Sequence, residues 1–147
     1  MINTLSAEAV LCEKGFLSET IVGTSMIPLL KEHRDTVIIE KITAPLRKYD
    51  VVLFRRGEQL VLHRIVKIEN GYFLIRGDNC THGERVYKGQ IIGKMTCFYR
   101  NGKRYDVNNK TYQLYSIIWV KSHFIFVVFR NVGTLLKKAM RRHNAEV

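Results

Sequence analysis

The sequence predicts a mainly β protein: a compact antiparallel β domain, preceded by a short helix and followed by an apolar, basic helix. Three observations carry this. Five runs rich in β-branched, aromatic and leucine residues (36–40, 50–54, 59–68, 72–76 and 90–99) are divided by Pro45, Gly57, Asn70-Gly71 and a loop from Gly77 to Gly83. Asn70-Gly71 between two such runs is a strong hairpin signal. At both ends the pattern changes to helical spacing.

The 147 residues suit one domain, large enough to bury about two-thirds of the surface its unfolded form exposes. Cys12, Cys80 and Cys97 are odd in number and form no Cys-x-x-Cys pair, so reduced thiols are expected rather than a disulfide framework. The net charge is +11, but residues 1–93 hold only +2 of it and residues 94–147 hold +9. An acidic surface is the partner such asymmetry suits. The first ten residues have no basic start, and Glu8 and Glu13 interrupt any apolar core, so no secretory signal is seen. The expected location is the cytoplasm or the cytoplasmic side of a membrane.

Taken in order, Ser6 reads as an N-cap for a helix over 5–15 that Gly15 stops. Ile21 and Val22 read as the end of a short strand, and Pro28 ends regular pairing soon after Ser25. Ser25 is therefore expected on a loop leaving a strand, within Gly23-Thr24-Ser25-Met26-Ile27-Pro28-Leu29-Leu30. The β runs follow, with residues 1–110 forming one unit and 111–147 a C-terminal helical segment.

A two-residue type I′ turn at Asn70-Gly71 fixes a register: Glu69 opposite Tyr72 leads to Ile65 opposite Arg76 and His63 opposite Asp78. Alternation puts His63 on the face of Val61 and Ile65, with Leu62, Arg64 and Val66 on the other. Burial disfavours the imidazolium and a carboxylate favours it, so an imidazole there titrates near neutrality, as a general base must. A structural histidine in a polar cross-strand pair is the alternative.

The Ser-Met-x-Pro run at Ser25 resembles the serine box of the signal peptidase and self-cleaving repressor superfamily of serine proteases (the S24/S26 type). The likeness extends in order along most of residues 20–95. Lys48-Tyr49-Asp50-Val51-Val52-Leu53-Phe54 is similar to the family's Gly-Asp-x-Val-x-Phe strand, with Tyr49 where glycine is usual. Leu62-His63-Arg64-Ile65 matches the base-bearing box, and Arg76-Gly77-Asp78-Asn79 with Ile92-Gly93-Lys94 the last box. Histidine at 63, where bacterial signal peptidases put lysine, is similar to the endoplasmic-reticulum and archaeal subclass.

The resemblance implies Ser25 as nucleophile, His63 as base, and Asp78 and Glu84 as acids that complete the site, with no cofactor and no metal. Gly23, Thr24 and Met26 would position substrate or oxyanion. Relatives often place a hydroxyl where this chain has Gly23, which leaves Thr24 as the nearby hydroxyl. Lys67 shares the strand face of His63 and is the control residue for a lysine base. Cys80 and His82 beside Asp78 lack a second spaced pair of metal ligands and read as a solvated loop.

Residues 117–136 approach the roughly 20 residues a bilayer requires. Lys121 and Arg130 interrupt them, so a clean span is not expected. On a helical wheel Ile117, Ile118, Phe124, Ile125, Val128, Phe129, Val132, Leu135 and Leu136 form a broad apolar face ahead of the basic run 137–143. An anionic membrane surface met through 117–143 and packing onto the β domain or in a dimer are both open readings. Nucleic acid is disfavoured, because the aromatics do not interleave with the Lys and Arg residues.

The function expected is a serine endopeptidase that cuts a leader or signal-like extended peptide or preprotein. The alternatives are a catalytically silent binding module of the same fold and a self-cleaving repressor-type peptidase.

Overall fold

A computed structural model describes residues 4–143; residues 1–3 and 144–147 lie outside the described residues, as do the side chains of 1–6, 124, 126 and 129–147. The chain runs α1 (Thr4–Lys14), β1 (Phe16–Thr20), β2 (Asp35–Glu40), β3 (Val51–Arg56), β4 (Gln59–Glu69), β5 (Tyr72–Arg76), β6 (Glu84–Val86), β7 (Ile91–Arg100), β8 (Lys103–Asp106) and α2 (Lys110–His143), with a short 3-10 turn before β7. The strands form a mainly antiparallel sheet in the order β1-β2-β7-β3-β4-β5-β6, and β8 pairs with β7.

Both faces of the sheet centre are covered, and β3 shows why. Its run Val51-Val52-Leu53-Phe54 is buried throughout. Val51 and Leu53 join a core with Ala7 and Leu11 of α1 and with Met26, Leu29 and Leu30 of the serine loop. Val52 and Phe54 point the other way, into a core with Ile65, Ile75, Val86 and Ile91. A strand buried on both faces reads as a continuous apolar run, because neither face meets water.

The hairpin between β4 and β5 forms at Asn70-Gly71 with Glu69 opposite Tyr72 as expected. Its turn differs from the type I′ expectation: Gly71 has φ +90° but Asn70 is not at positive φ, and a type I′ turn requires both. The register beyond it also differs. A β-bulge at Val66 inserts one residue, so Ile65 pairs with Ile75 and Arg64 with Arg76. The expected pairing of His63 with Asp78 is thereby lost, since one extra residue moves every later partner by one place.

Asn101-Gly102, with φ values of +51° and +76°, turns β7 into β8, a hairpin not anticipated from the sequence. Helix α1 starts at Thr4, so Ser6 lies within it, while Gly15 ends it at φ +79° with its N–H on the Leu11 carbonyl at 3.1 Å. Asn109 caps α2, its side-chain oxygen accepting the Thr111 N–H at 2.8 Å.

In its described part helix α2 meets the β domain through Tyr112 and Tyr115, which pack against the core, and through buried polar side chains; Phe124, Phe129, Val132, Leu135 and Leu136 of the expected apolar face lie outside the described side chains. Ser116 and His123 are buried, whereas Leu114, Ile118, Ile125 and Val128 are exposed. Among the described residues no helix is long and apolar enough to cross a membrane.

Candidate active site

Ser25 lies on the loop between β1 and β2, and the loop is pinned at its ends by Ile21 N–H to Asp35 carbonyl and His33 N–H to Ile21 carbonyl, each 2.9 Å. Met26 is 2% exposed and packs in the core, while Ser25 lines a cleft of about 360 Å3. Burial of the thioether thus fixes its neighbour at the surface, which is a physical use for a Ser-Met pair. Gly23, at φ +91°, lines the same cleft and donates its N–H to Glu32 Oε2 at 3.0 Å. Thr24 is exposed and does not line the cleft. An inward hydroxyl there is not seen.

The second wall of the cleft is β4. His63 lines it, with its side chain 7% exposed. The Phe54 ring lies 6.1 Å away, centroid to centroid, on the strand alongside. His63 Nδ1 stands 3.5 Å from Glu84 Oε1, a charge contact rather than a formed hydrogen bond, and that nitrogen is buried without another partner. The opposite ring nitrogen, Nε2, lies beside Gly77. A methyl group added to Gly77 would come within 2.9 Å of His63 Nε2 and 2.6 Å of the Ser25 carbonyl oxygen, so both lie within a few ångströms of one point. Only glycine leaves that point empty.

Burial is the main force on His63 titration and holds its pKa below the ordinary value, with Arg56 acting in the same direction. Glu84, and more weakly Asp78, act against them. The imidazole is therefore a free base at neutral pH.

Asp78 is buried and makes a two-point pair with Arg64, Nε to Oδ1 at 2.7 Å and Nη2 to Oδ2 at 2.8 Å. Arg64 Nη1 donates further to the Tyr49 carbonyl at 3.1 Å and to Ser116 Oγ at 2.8 Å. Burial opposes the guanidinium charge, but the bonds to Asp78 outweigh it and raise its pKa. A fully bonded buried pair of this kind is tolerated because few of its donors and acceptors are left unmet. Of the two sequence-expected acids, Glu84 is thus the one beside His63, and Asp78 ties the base strand to the loop.

That loop also grips the serine. Asn79 N–H donates to the Ser25 carbonyl at 2.8 Å and its side-chain amide to the Thr24 carbonyl at 3.2 Å. On its other side Trp119 Nε1 donates to the Asp78 carbonyl at 3.1 Å, and His123 Nε2 lies 2.8 Å from the Cys80 carbonyl. Sequence reasoning missed these two α2 residues, since nothing in their spacing points to a loop backbone.

Cys80 and His82 line the cleft, and among the described residues no group of His, Cys, Asp and Glu could hold a metal ion. Lys67 is exposed, pairs with Glu69 at 2.5 Å and lies outside the cleft lining. A larger hollow of about 750 Å3 sits beyond the serine loop, lined by Leu29, Arg100, Lys103, Arg104 and Tyr105 among others. Its cations are engaged: Arg100 with Asp35, Arg104 with Asp106, and Lys103 over the Tyr105 ring.

The Peptidase S24-like family model matches residues 6–96, more than half of the chain. The chain belongs to the Peptidase S24-like family. No curated protein matches it. As a Peptidase S24-like chain it is of the serine peptidase or self-cleaving repressor type. The matched residues contain Ser25, His63, Asp78 and Glu84, and α2 lies outside them.

Proposed function

We propose that this Peptidase S24-like chain is a serine endopeptidase of the signal-peptidase kind with a histidine base, cutting a leader or signal-like segment in extended form. The observation that carries the reading is the setting of His63, whose Nδ1 stands by Glu84 and whose Nε2 lies beside Gly77, close to the Ser25 carbonyl, in the cleft that Ser25 lines.

Ser25 Oγ attacks the scissile carbonyl as His63 Nε2 takes its proton; the new C–O bond forms while the carbonyl electrons move onto oxygen. The Ser25 N–H is a fixed donor for that oxyanion. Glu84 supports the imidazolium at Nδ1. Collapse expels the amine, which leaves with the proton from Nε2, and water then repeats the sequence on the acyl-enzyme. Gly23 and Met26 line the floor against which an extended substrate lies.

The test is intact mass of the protein after incubation with a fluorophosphonate, for wild type, Ser25→Ala and His63→Ala. A Ser25-dependent adduct that weakens in His63→Ala supports the enzyme. No adduct between pH 6 and 9 favours a catalytically silent module. The same spectra report Ser25-dependent scission of the chain itself, the result a repressor-type peptidase would give.

The exposed row Leu114, Ile118, Ile125 and Val128 favours a second role for α2. Together with the +9 charge of residues 94–147 it supports docking flat on an anionic bilayer. Co-sedimentation with phosphatidylglycerol vesicles, lost with phosphatidylcholine alone and in Ile118→Glu, is the expected result; equal sedimentation with both lipids would overturn it.

A further inference from the structure

One charged residue at the cleft, Arg56, has no part in the chemistry just described. Arg56 is the last residue of β3 and lines the cleft. Its Nε donates to Glu84 Oε2 at 2.8 Å and its Nη2 donates to Glu84 Oε1, the two-point grip of a planar guanidinium on a carboxylate. Oε1 is also the oxygen that stands 3.5 Å from His63 Nδ1. One carboxylate oxygen is therefore shared between a permanent cation and an imidazole.

Glu84 needs such a holder. It opens a strand of three residues and is about one-third exposed, so its side chain is not fixed by packing. A guanidinium fork restricts both the plane and the reach of the carboxylate, and a lysine at the same place would supply charge without the fork.

We propose that Arg56 is a positioning residue of the hydrolytic site: it holds the Glu84 carboxylate aligned with His63 Nδ1 but short of a closed hydrogen bond, so that the contact closes only as the imidazole takes up the serine proton. The proposal rests on the endopeptidase reading above. In the resting site the cation competes for Oε1 and adds to burial, the larger effect, in disfavouring the charged ring. When the proton arrives at Nε2 the ring becomes a cation, Nδ1–H and Oε1 attract, and the 3.5 Å contact can shorten, as such contacts do on passing from the resting to the reacting complex. Of the other titratable groups, Asp78 acts on His63 and is already bonded to Arg64, while Cys80 and His82 line the same cleft. None of these has the two-point contact with Glu84.

The experiment follows His63 by NMR titration and the fluorophosphonate acylation rate of Ser25 against pH, in the full chain and in Arg56→Gln, Arg56→Lys and Glu84→Gln. Arg56→Gln should move the His63 titration upward and lower the high-pH acylation plateau by up to about a hundredfold, the scale of a misaligned catalytic group. Arg56→Lys should return the titration toward wild type while leaving the plateau low, because charge is restored and alignment is not. Glu84→Gln should move the titration downward. An Arg56→Gln protein with the wild-type titration and the wild-type pH profile overturns the proposal while leaving the endopeptidase reading intact. A wild type that is never acylated overturns both, through that reading. Arg56 is half-exposed at the end of its strand, and a melting curve for each variant verifies that the fold is retained.

Discussion

Asn79 donates its backbone N–H to the carbonyl of Ser25 at 2.8 Å, across a gap of more than fifty residues in sequence. The carbonyls on either side of Asn79, those of Asp78 and Cys80, meet Trp119 and His123 of α2. The loop is thus held between the serine box and the helix. Any loosening on the helix side should reach the serine.

Trp119→Phe keeps the aromatic bulk and removes the donor to the Asp78 carbonyl. Stability should fall by about 1 kcal/mol, the net worth of one hydrogen bond, and the Ser25 acylation rate should fall by more than that loss alone implies. Urea unfolding and acylation kinetics on the same protein check this; a rate equal to wild type would disconnect the helix from the site.

At Gly77 an added methyl meets the Ser25 carbonyl oxygen, Cys80 Sγ and His63 Nε2 at 2.6, 2.8 and 2.9 Å. Backbone and ring cannot both yield without moving. Gly77→Ala should therefore abolish most Ser25 labelling while circular dichroism still reports a folded β protein. Labelling at the wild-type rate would mean that Ser25 and His63 are not set by this close approach.

The two acids should separate cleanly. Asp78→Asn breaks a buried pair and should cost about 3–5 kcal/mol in chemical unfolding. Glu84→Gln removes a partly exposed pair worth about 0–1 kcal/mol, yet it should slow acylation far more than its stability loss suggests. Equal stability losses would contradict the division of labour between them.

The pH dependence has a definite sign. Burial first, and Arg56 second, depress the His63 pKa below the ordinary value of about 6.5. Acylation should rise with pH through that lowered value and reach its plateau at a lower pH than an unperturbed imidazole would. For stability, the folded protein binds fewer protons at this site than the unfolded chain between the two values. The contribution is therefore fully present above about pH 6.5 and is lost as pH falls through the folded value. His63→Gln should flatten that part of a stability-against-pH curve; an unchanged slope would assign it to other groups.

Tyr49 takes φ +80°, in the left-handed region that costs a side chain about 1 kcal/mol or more. This is the position at which a related strand motif favours glycine, and the backbone supplies the reason. Tyr49→Gly should raise the melting temperature by a few degrees, about the equivalent of 1 kcal/mol, since the bonds made by its N–H and carbonyl remain. Tyr49→Val should lower it.

Much of this was readable beforehand because it depends on local chemistry. The β-rich pattern, the hairpin position at Asn70-Gly71 and the pairing of Glu69 with Tyr72 all follow from turn residues and alternation. The bulge at Val66 did not, because nothing in Ile65-Val66-Lys67 distinguishes an inserted residue from an alternating one. That one residue took Asp78 away from His63 and gave it to Arg64. Arg64 left a trace: a charge in the middle of the run Leu60 to Ile68 needs a buried partner or a wet face, and it has the partner. The strand β8 is signalled by Asn101-Gly102, the same dipeptide as Asn70-Gly71, and here both turn residues take positive φ. The α2 contacts to loop carbonyls carry no sequence signature, since a backbone acceptor is the same whatever the residue.

The helix begins after the family-matched residues have ended, yet it supplies Arg64 with Ser116 and loop 77–80 with Trp119 and His123. A graft of residues 6–96 onto another scaffold would transplant hydroxyl, imidazole and both carboxylates while stripping away the brace behind them. Chimaeras intended to exchange specificity therefore have their natural seam beyond His123, and a seam chosen at the family boundary would deliver the parts of the site without their rigidity.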